Sequence, residues 1–302
     1  MTKKLVLGLA LGSGSARGWS HIGVLKALAK QNIHPDVVCG TSIGALVGAS
    51  YVCNKITKLE ESVRSLRAFD VARFFELNRS LNGFVNQQRL HDFLNTYVAD
   101  DLTLIENTMK QYASVSTELT SGREIWHSKG SVVEAVLASI SMPGLFPAIN
   151  NANRWLVDGG LVNPVPVSVC KALGADIVIA VNLNGDLVGR HFNNIKGEET
   201  PNKGFSNKVA SLFKEYTGSL MPVTKDNEQP PGLIDAIAGS INITQDKITR
   251  SRLAGDPPDI LLAPKLSKVG LLEFYRASET IEEGEKCVEK ALPDIKEALG
   301  IT

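Results

Sequence analysis

The run Ile177-Val178-Ile179-Ala180-Val181 is apolar at every position, and Leu5-Val6-Leu7-Gly8-Leu9-Ala10-Leu11 is nearly so. A strand with one face in water alternates apolar and polar residues, so a strand without alternation needs cover on both faces. Shorter strand-like stretches follow the same logic at Val37-Val38-Cys39, Tyr112 to Leu119, Trp155-Leu156-Val157 and Ile260-Leu261-Leu262. Helical patterns lie between them. His21 to Lys30 puts Ile22, Leu25 and Leu28-Ala29 on one face, Ile43 to Val52 is hydrophobic nearly all round, and Val132 to Ile140 is also helical. Buried strands separated by helices predict an α/β fold of three layers, α/β/α, around a mostly parallel central sheet.

The 302 residues suffice for one large core, and the expected organisation is a single domain over 1–302. Lys plus Arg and Asp plus Glu number 32 each, so no basic surplus points to nucleic acid. Four cysteines, Cys39, Cys53, Cys170 and Cys287, include no C-x-x-C pair and read as reduced thiols of a cytoplasmic protein. Lys3-Lys4 ahead of an apolar run superficially resembles a signal peptide. The run is short and enters Gly12-Ser13-Gly14 at once, which suits a buried strand better. No stretch reaches the ~18 continuous apolar residues of a membrane span.

Composition divides the chain into a core at about 5–185, a variable segment at about 182–259, and a terminal strand and helices at 260–302. Within the variable segment, Phe205 to Leu220 has an amphipathic helical pattern and Leu233 to Leu253 is a second helix candidate. These read either as peripheral helices on the core or as a lid or membrane-touching segment. In the terminal part, Glu282 to Lys290 is a solvated helix face.

Gly40-Thr41-Ser42-Ile43-Gly44 is a G-x-S-x-G between a short strand and a buried helix. In that setting the serine sits on a sharp, strained turn, where side chains at the flanking glycines would collide. The helix N-terminus behind it favours developing negative charge. Gly12-Ser13-Gly14-Ser15-Ala16-Arg17-Gly18 follows the first strand and opens the first helix. It lacks the Gly-Lys-Ser/Thr of a P-loop and has Arg17 where a dinucleotide fingerprint needs glycine, so backbone donors for an oxyanion are the better reading. Val157-Asp158-Gly159-Gly160 places a carboxylate at a strand end, either a simple turn or a base for Ser42. Among His21, His34, His91, His127 and His191, only His191 follows Asp158, and it lies in a polar, Gly-rich stretch. None sits where a Ser-Asp-His triad would put it. His21 reads as a structural histidine.

These motifs in this order, G-S-G-S-A-R-G, G-T-S-I-G and D-G-G, resemble the patatin-like phospholipase family, and more closely its bacterial members related to the neuropathy-target-esterase catalytic domain. Ala138-Ser139-Ile140-Ser141-Met142-Pro143-Gly144-Leu145-Phe146-Pro147 is similar to that family's A-S-x-x-x-P-G-x-F-P segment. The resemblance implies a patatin-like fold and a Ser–Asp dyad, with Ser42 as nucleophile and Asp158 as general base. It implies an acyl ester or lipid as substrate, phospholipase A or lysophospholipase chemistry, no metal or organic cofactor, and room for peripheral contact with a membrane. The oxyanion donors would be Gly14 and Ser15, with Gly12, Arg17, Gly18, Gly40, Gly44, Gly159 and Gly160 supporting the motifs. One departure stands out: Ser13 and Ser15 replace two glycines of the family's loop, which leaves the backbone donors intact if φ stays negative there. An aspartate near its ordinary pKa of ~3.9 is a feeble base, so burial is expected to raise it. Acyl transfer to another acceptor, or lipid binding without catalysis, fits the same residues. Oligomeric state has no signal in the sequence.

Overall fold

The computed structural model describes residues 5–74, 86–185 and 233–301. At its centre is an eight-stranded sheet in the order β5-β6-β3-β2-β1-β7-β8, with β4 also paired to β3. The strands are β1 (Leu7–Leu11), β2 (Val37–Thr41), β3 (Gln111–Glu118), β4 (Glu124–His127), β5 (Ile149–Asn151), β6 (Arg154–Asp158), β7 (Ile177–Val181) and β8 (Ile260–Leu262). The helices are α1 (Ser20–Lys30), α2 (Ile43–Val52), α3 (Ile56–Ser65), α4 (Ala68–Phe74), α5 (Gln87–Tyr97), α6 (Val132–Ile140), α7 (Val167–Ala172), α8 (Leu233–Gly255) and α9 (Ala277–Leu299).

Strand residues of the central sheet divide between two cores. Leu7, Leu9, Leu11 and Val38 pack with α1, α2 and α9, whereas Ala10, Val37, Cys39, Val115, Val178 and Ala180 pack with Val167, Val169 and Cys170 of α7. The sheet is thus covered on both faces, as its lack of alternation requires, and the fold is a three-layer α/β/α. In α2 every residue except Tyr51 is buried, which matches its all-round apolar pattern.

The five strands β3-β2-β1-β7-β8 run parallel. The other end differs from a simple parallel sheet, because β4 and β6 are antiparallel to β3 and β5 is antiparallel to β6. Ala152 and Asn153, both at positive φ (48° and 62°), make the two-residue turn from β5 to β6. That is the backbone of a primed hairpin turn, reached here without the glycine that usually announces it. Ile56–Ser65, Ala68–Phe74 and Gln87–Tyr97, to which the sequence pattern assigns no element, form α3, α4 and α5. The helix expected at Leu233 to Leu253 is present as α8, while the pattern at Phe205 to Leu220 and His191 lie outside the described residues. Among the described residues no helix is long and apolar enough to cross a membrane.

Candidate active site

β3 is the ruler on which the site is built. Thr41, the last residue of β2, lies opposite Val115, and Asp158, the last residue of β6, lies opposite Ser116 one position further on. Two strands from distant parts of the chain therefore deliver their final residues side by side. Ser42 follows Thr41 as a single linking residue before α2, at φ 55° and ψ −124°. That conformation costs of order 1–3 kcal/mol in a non-glycine residue and survives only where its surroundings enforce it.

The enforcing contacts are visible. A side chain at Gly44 would come within 2.1 Å of the Leu11 carbonyl oxygen, and one at Gly40 within 2.4 Å of the Ala45 nitrogen. Glycine at both positions lets α2 seat directly on the strand ends. The Ser42 amide donates to Ser139 Oγ (2.9 Å), whose own hydroxyl donates to the Val115 carbonyl (2.6 Å). Thr41 Oγ1 donates to the Asn163 carbonyl (2.8 Å), tying β2 to the turn after β6.

Ser42 Oγ donates to Asp158 Oδ2 at 2.5 Å, and Gly160 N–H donates to Asp158 Oδ1 at 2.7 Å. Asp158 is only 1% exposed. Burial pushes its carboxyl up to about 6, against the two hydrogen bonds that favour the charged form. The sequence expectation of a raised Asp158 pKa is therefore met, with desolvation as the main cause. A side chain at Gly159 would fall 2.2 Å from the Val115 carbonyl oxygen, so the turn after Asp158 also presses on β3.

The Gly-rich loop is anchored from several sides. Gly12 N–H donates to Val181 (3.1 Å), Ser13 N–H to Pro164 (2.8 Å), Ala16 N–H to Leu271 (3.1 Å) and Arg17 N–H to Gly14 (3.2 Å). Among the described residues the amides of Gly14 and Ser15, two consecutive N–H groups, have no acceptor. Ser13 keeps to the negative-φ side, but Ser15 does not: its φ is +52°. The condition of negative φ at both serines thus fails at Ser15, which adopts the left-handed conformation that the family's glycine would take without strain. Gly18 packs against Ile43, with only 2.2 Å between its would-be Cβ and that side chain. Arg17 is buried, donating through Nε to the Gly14 carbonyl (3.1 Å) and through Nη2 to Asn242 Oδ1 (2.9 Å), and so holds the loop.

His21 and His127 are engaged away from the Ser42–Asp158 pair. His21 is fully buried, with Nε2 2.8 Å from the Gly12 carbonyl, and burial lowers its pKa to about 4. Neutral at pH 7, it donates to that carbonyl and braces the loop. His127 pairs with Ser116 Oγ (2.7 Å) and is likewise lowered to about 4 by burial. Among the described residues no group of three or more His, Cys, Asp or Glu is placed to hold a metal ion.

An apolar pocket opens beside Ser42. Its walls come from Trp19, Ile43 and Leu46 of the core, Leu66, Val71, Phe74, Leu90 and Phe93 of the α3–α5 region, and Ile140, Met142, Leu145, Phe146 and Phe274, with Ser15 and Ser42 as the polar members. The segment 138–147 serves the site three times over. Ser139 holds the Ser42 amide, the Ser141 carbonyl accepts the Asp158 N–H (2.9 Å), and Met142, Leu145 and Phe146 line the pocket.

The sequence profile of patatin-like phospholipases matches residues 9–171, just over half of the chain. The chain belongs to that family. An uncharacterised NTE family protein of Mycobacterium tuberculosis is 28% identical over 327 residues, covering 94% of this chain and 90% of that protein. Lysophospholipase NTE1 of Pyricularia oryzae is 27% identical over 297 residues; the match covers 93% of this chain but 18% of that much longer protein. Among solved structures, VipD from Legionella pneumophila matches over 97% of this chain and 77% of that one, at 14% identity and a TM-score of 0.39.

Proposed function

We propose that the protein is a serine esterase acting on lipid acyl esters, of phospholipase A or lysophospholipase type, with Ser42 as nucleophile and Asp158 as general base. The observation that carries this reading is the 2.5 Å hydrogen bond to a buried carboxylate from Ser42 Oγ, whose residue lines an apolar pocket. A carboxyl near pH 6 is mostly ionised at neutrality yet far more basic than an exposed aspartate.

The substrate's acyl chain lies along the pocket walls, and its carbonyl meets Ser42. Oγ attacks the carbonyl carbon as its proton passes to Asp158, and the oxyanion forms against the unengaged amides of Gly14 and Ser15. Collapse expels the alcohol, which takes the proton back from Asp158 and leaves the acyl group on Ser42. Water then attacks the acyl-enzyme, giving its proton to Asp158, and the second collapse releases the carboxylic acid and restores the Ser42 hydroxyl. One carboxylate thus serves twice as base and twice as acid, which its intermediate pKa suits. The lysophospholipase branch draws support from the name of the Pyricularia oryzae relative.

The test is hydrolysis of p-nitrophenyl esters and of lysophosphatidylcholine, together with labelling by a fluorophosphonate. Ser42→Ala is expected to abolish both turnover and labelling, and Asp158→Asn to abolish turnover. Undiminished turnover in either variant removes that residue from its role.

A further inference from the structure

Helix α8 lies in the stretch that reads from sequence either as peripheral cover or as a lid or membrane-touching segment, yet its polar side chains Asn242, Gln245, Asp246 and Thr249 are buried. A helix that only covered the sheet would turn apolar residues inward. Two of these four reach the Gly-rich loop. Gln245 Oε1 accepts from Ser13 Oγ at 3.1 Å and from Asn184 Nδ2 at 3.1 Å. Asn242 Oδ1 accepts from Arg17 Nη2, and Arg17 Nε donates to the Gly14 carbonyl. These contacts bracket Gly14 and Ser15, the residues with unengaged amides.

Gln245 also touches the other half of the site. A Cβ built on Gly160 would lie 2.4 Å from Gln245 Nε2, 2.9 Å from Asp158 Oδ1 and 3.2 Å from Ser13 Oγ. Carboxamide, carboxylate and hydroxyl thus crowd around one glycine α-carbon. Three segments far apart in sequence meet there, and Gln245, hydrogen-bonded to Ser13 of the loop, packs against Gly160 of the Asp158 turn.

We propose that Gln245 is a positioning residue, fixing the Gly-rich loop against the Asp158–Gly160 turn so that loop amides and dyad keep one relative geometry through turnover. This rests on the esterase reading above. It also gives Ser13 a reason to differ from the family's glycine, because its hydroxyl is what Gln245 grips.

Two substitutions separate positioning from mere support. Gln245→Met keeps length and packing without hydrogen bonds. A misaligned donor loop is expected to lower kcat on a short p-nitrophenyl ester roughly 10- to 100-fold, with KM changed by less than about twofold. Ser13→Ala is expected to give a comparable loss, and the double variant one no larger than the worse single, since both remove the same link. Gln245→Glu keeps the shape but sets a carboxylate no more than about 6 Å from Asp158, and is expected to move the acid limb of kcat/KM to higher pH. If Gln245→Met lowers only Tm, leaving kcat per fluorophosphonate-labelled site intact, and Gln245→Glu leaves the acid limb in place, the assignment is overturned. Wild-type protein that neither hydrolyses esters nor labels at Ser42 overturns the esterase reading and this assignment together, whereas an active wild type with unchanged variants overturns this assignment alone.

Discussion

Asp158→Asn is expected to stabilise the protein while silencing it, and the gain should depend on pH in the way a buried, desolvated carboxylate dictates. The carboxyl is pushed from 3.8 to about 6 by burial. A pKa raised in the folded state means that folding favours the protonated form. Below pH 3.8 the group is protonated whether the chain is folded or not, and it imposes no charge penalty. As pH rises between the two values the unfolded chain releases the proton first, and the folded state loses stability until its own carboxyl ionises near 6. Above that the penalty is constant. A shift of about two units corresponds to about 3 kcal/mol at 1.36 kcal/mol per unit.

Asparagine carries no such penalty and can occupy the same hydrogen bonds. Its Oδ1 accepts from Gly160 N–H as the carboxylate does, and its amide can donate to Ser42 Oγ, which is free to accept. For a chain of this length about 3 kcal/mol translates into a rise of about 5 °C in Tm. Thermal unfolding of wild type and Asp158→Asn, followed by circular dichroism from pH 4 to pH 8, measures it. The expected result is nearly coincident melting at pH 4, divergence through pH 5 and 6, and a steady advantage for the variant above pH 7. A difference that is flat across this range, or a variant less stable at pH 8 than at pH 4 relative to wild type, refutes the claim that desolvation of Asp158 sets its pKa.

The same ionisation should govern turnover: kcat/KM is expected to fall tenfold per pH unit below about 6 and to level off above it, measured on a soluble ester. His21 and His127, both lowered to about 4, should add no break near neutrality, and a limb that follows a histidine variant would contradict the dyad. Ser139→Ala strips the partner from the Ser42 amide and from the Val115 carbonyl; two unmet buried groups at about 1–3 kcal/mol each should lower Tm by several degrees and depress kcat, with Ser139→Thr restoring both. Leu46→Trp narrows the pocket and should shift preference toward short acyl chains. Excluding two methylenes, at about 0.8 kcal/mol each, lowers the ratio of long-chain to short-chain kcat/KM roughly tenfold, and an unchanged ratio would move the acyl chain out of this pocket.

What the sequence makes legible here is what is contiguous. The boundaries of α2, α6 and β7 follow from local periodicity alone, because each carries its own pattern of burial: all round for α2, one broad face for α6, both faces for β7. Ser42 is legible because strand, turn and helix lie within a few residues of each other. The antiparallel end of the sheet is not, since Ala152-Asn153 makes its primed turn without glycine and β5 is only three residues long. Nor are α3 to α5, whose polar faces dilute the apolar stripe that builds most of one pocket wall.

The residues that sequence reasoning passes over have a common cause. Gln245 and Asn242 are polar and act through partners 232 and 225 positions away, so nothing in their neighbourhood signals a role; Ser139 stands in the 138–147 segment, but its bond to the Ser42 amide 97 positions away is not legible there. Arg17 is open from sequence between orienting a phosphate and holding the loop, and its burial with bonds to Gly14 and Asn242 favours the second. A dyad without histidine sharpens this dependence. In a triad an imidazole stands between nucleophile and carboxylate and carries the proton, whereas Asp158 meets Ser42 directly and is fixed at the end of β6 by Gly160 N–H, by the hydrogen bond from its own N–H to the Ser141 carbonyl and by Thr117 Oγ1 at its carbonyl. With the base immobile, the precision of the reaction has to come from the framework that brings Ser42 and the loop amides to it. That places the demand on buried polar contacts between distant segments, which a linear reading is least able to find.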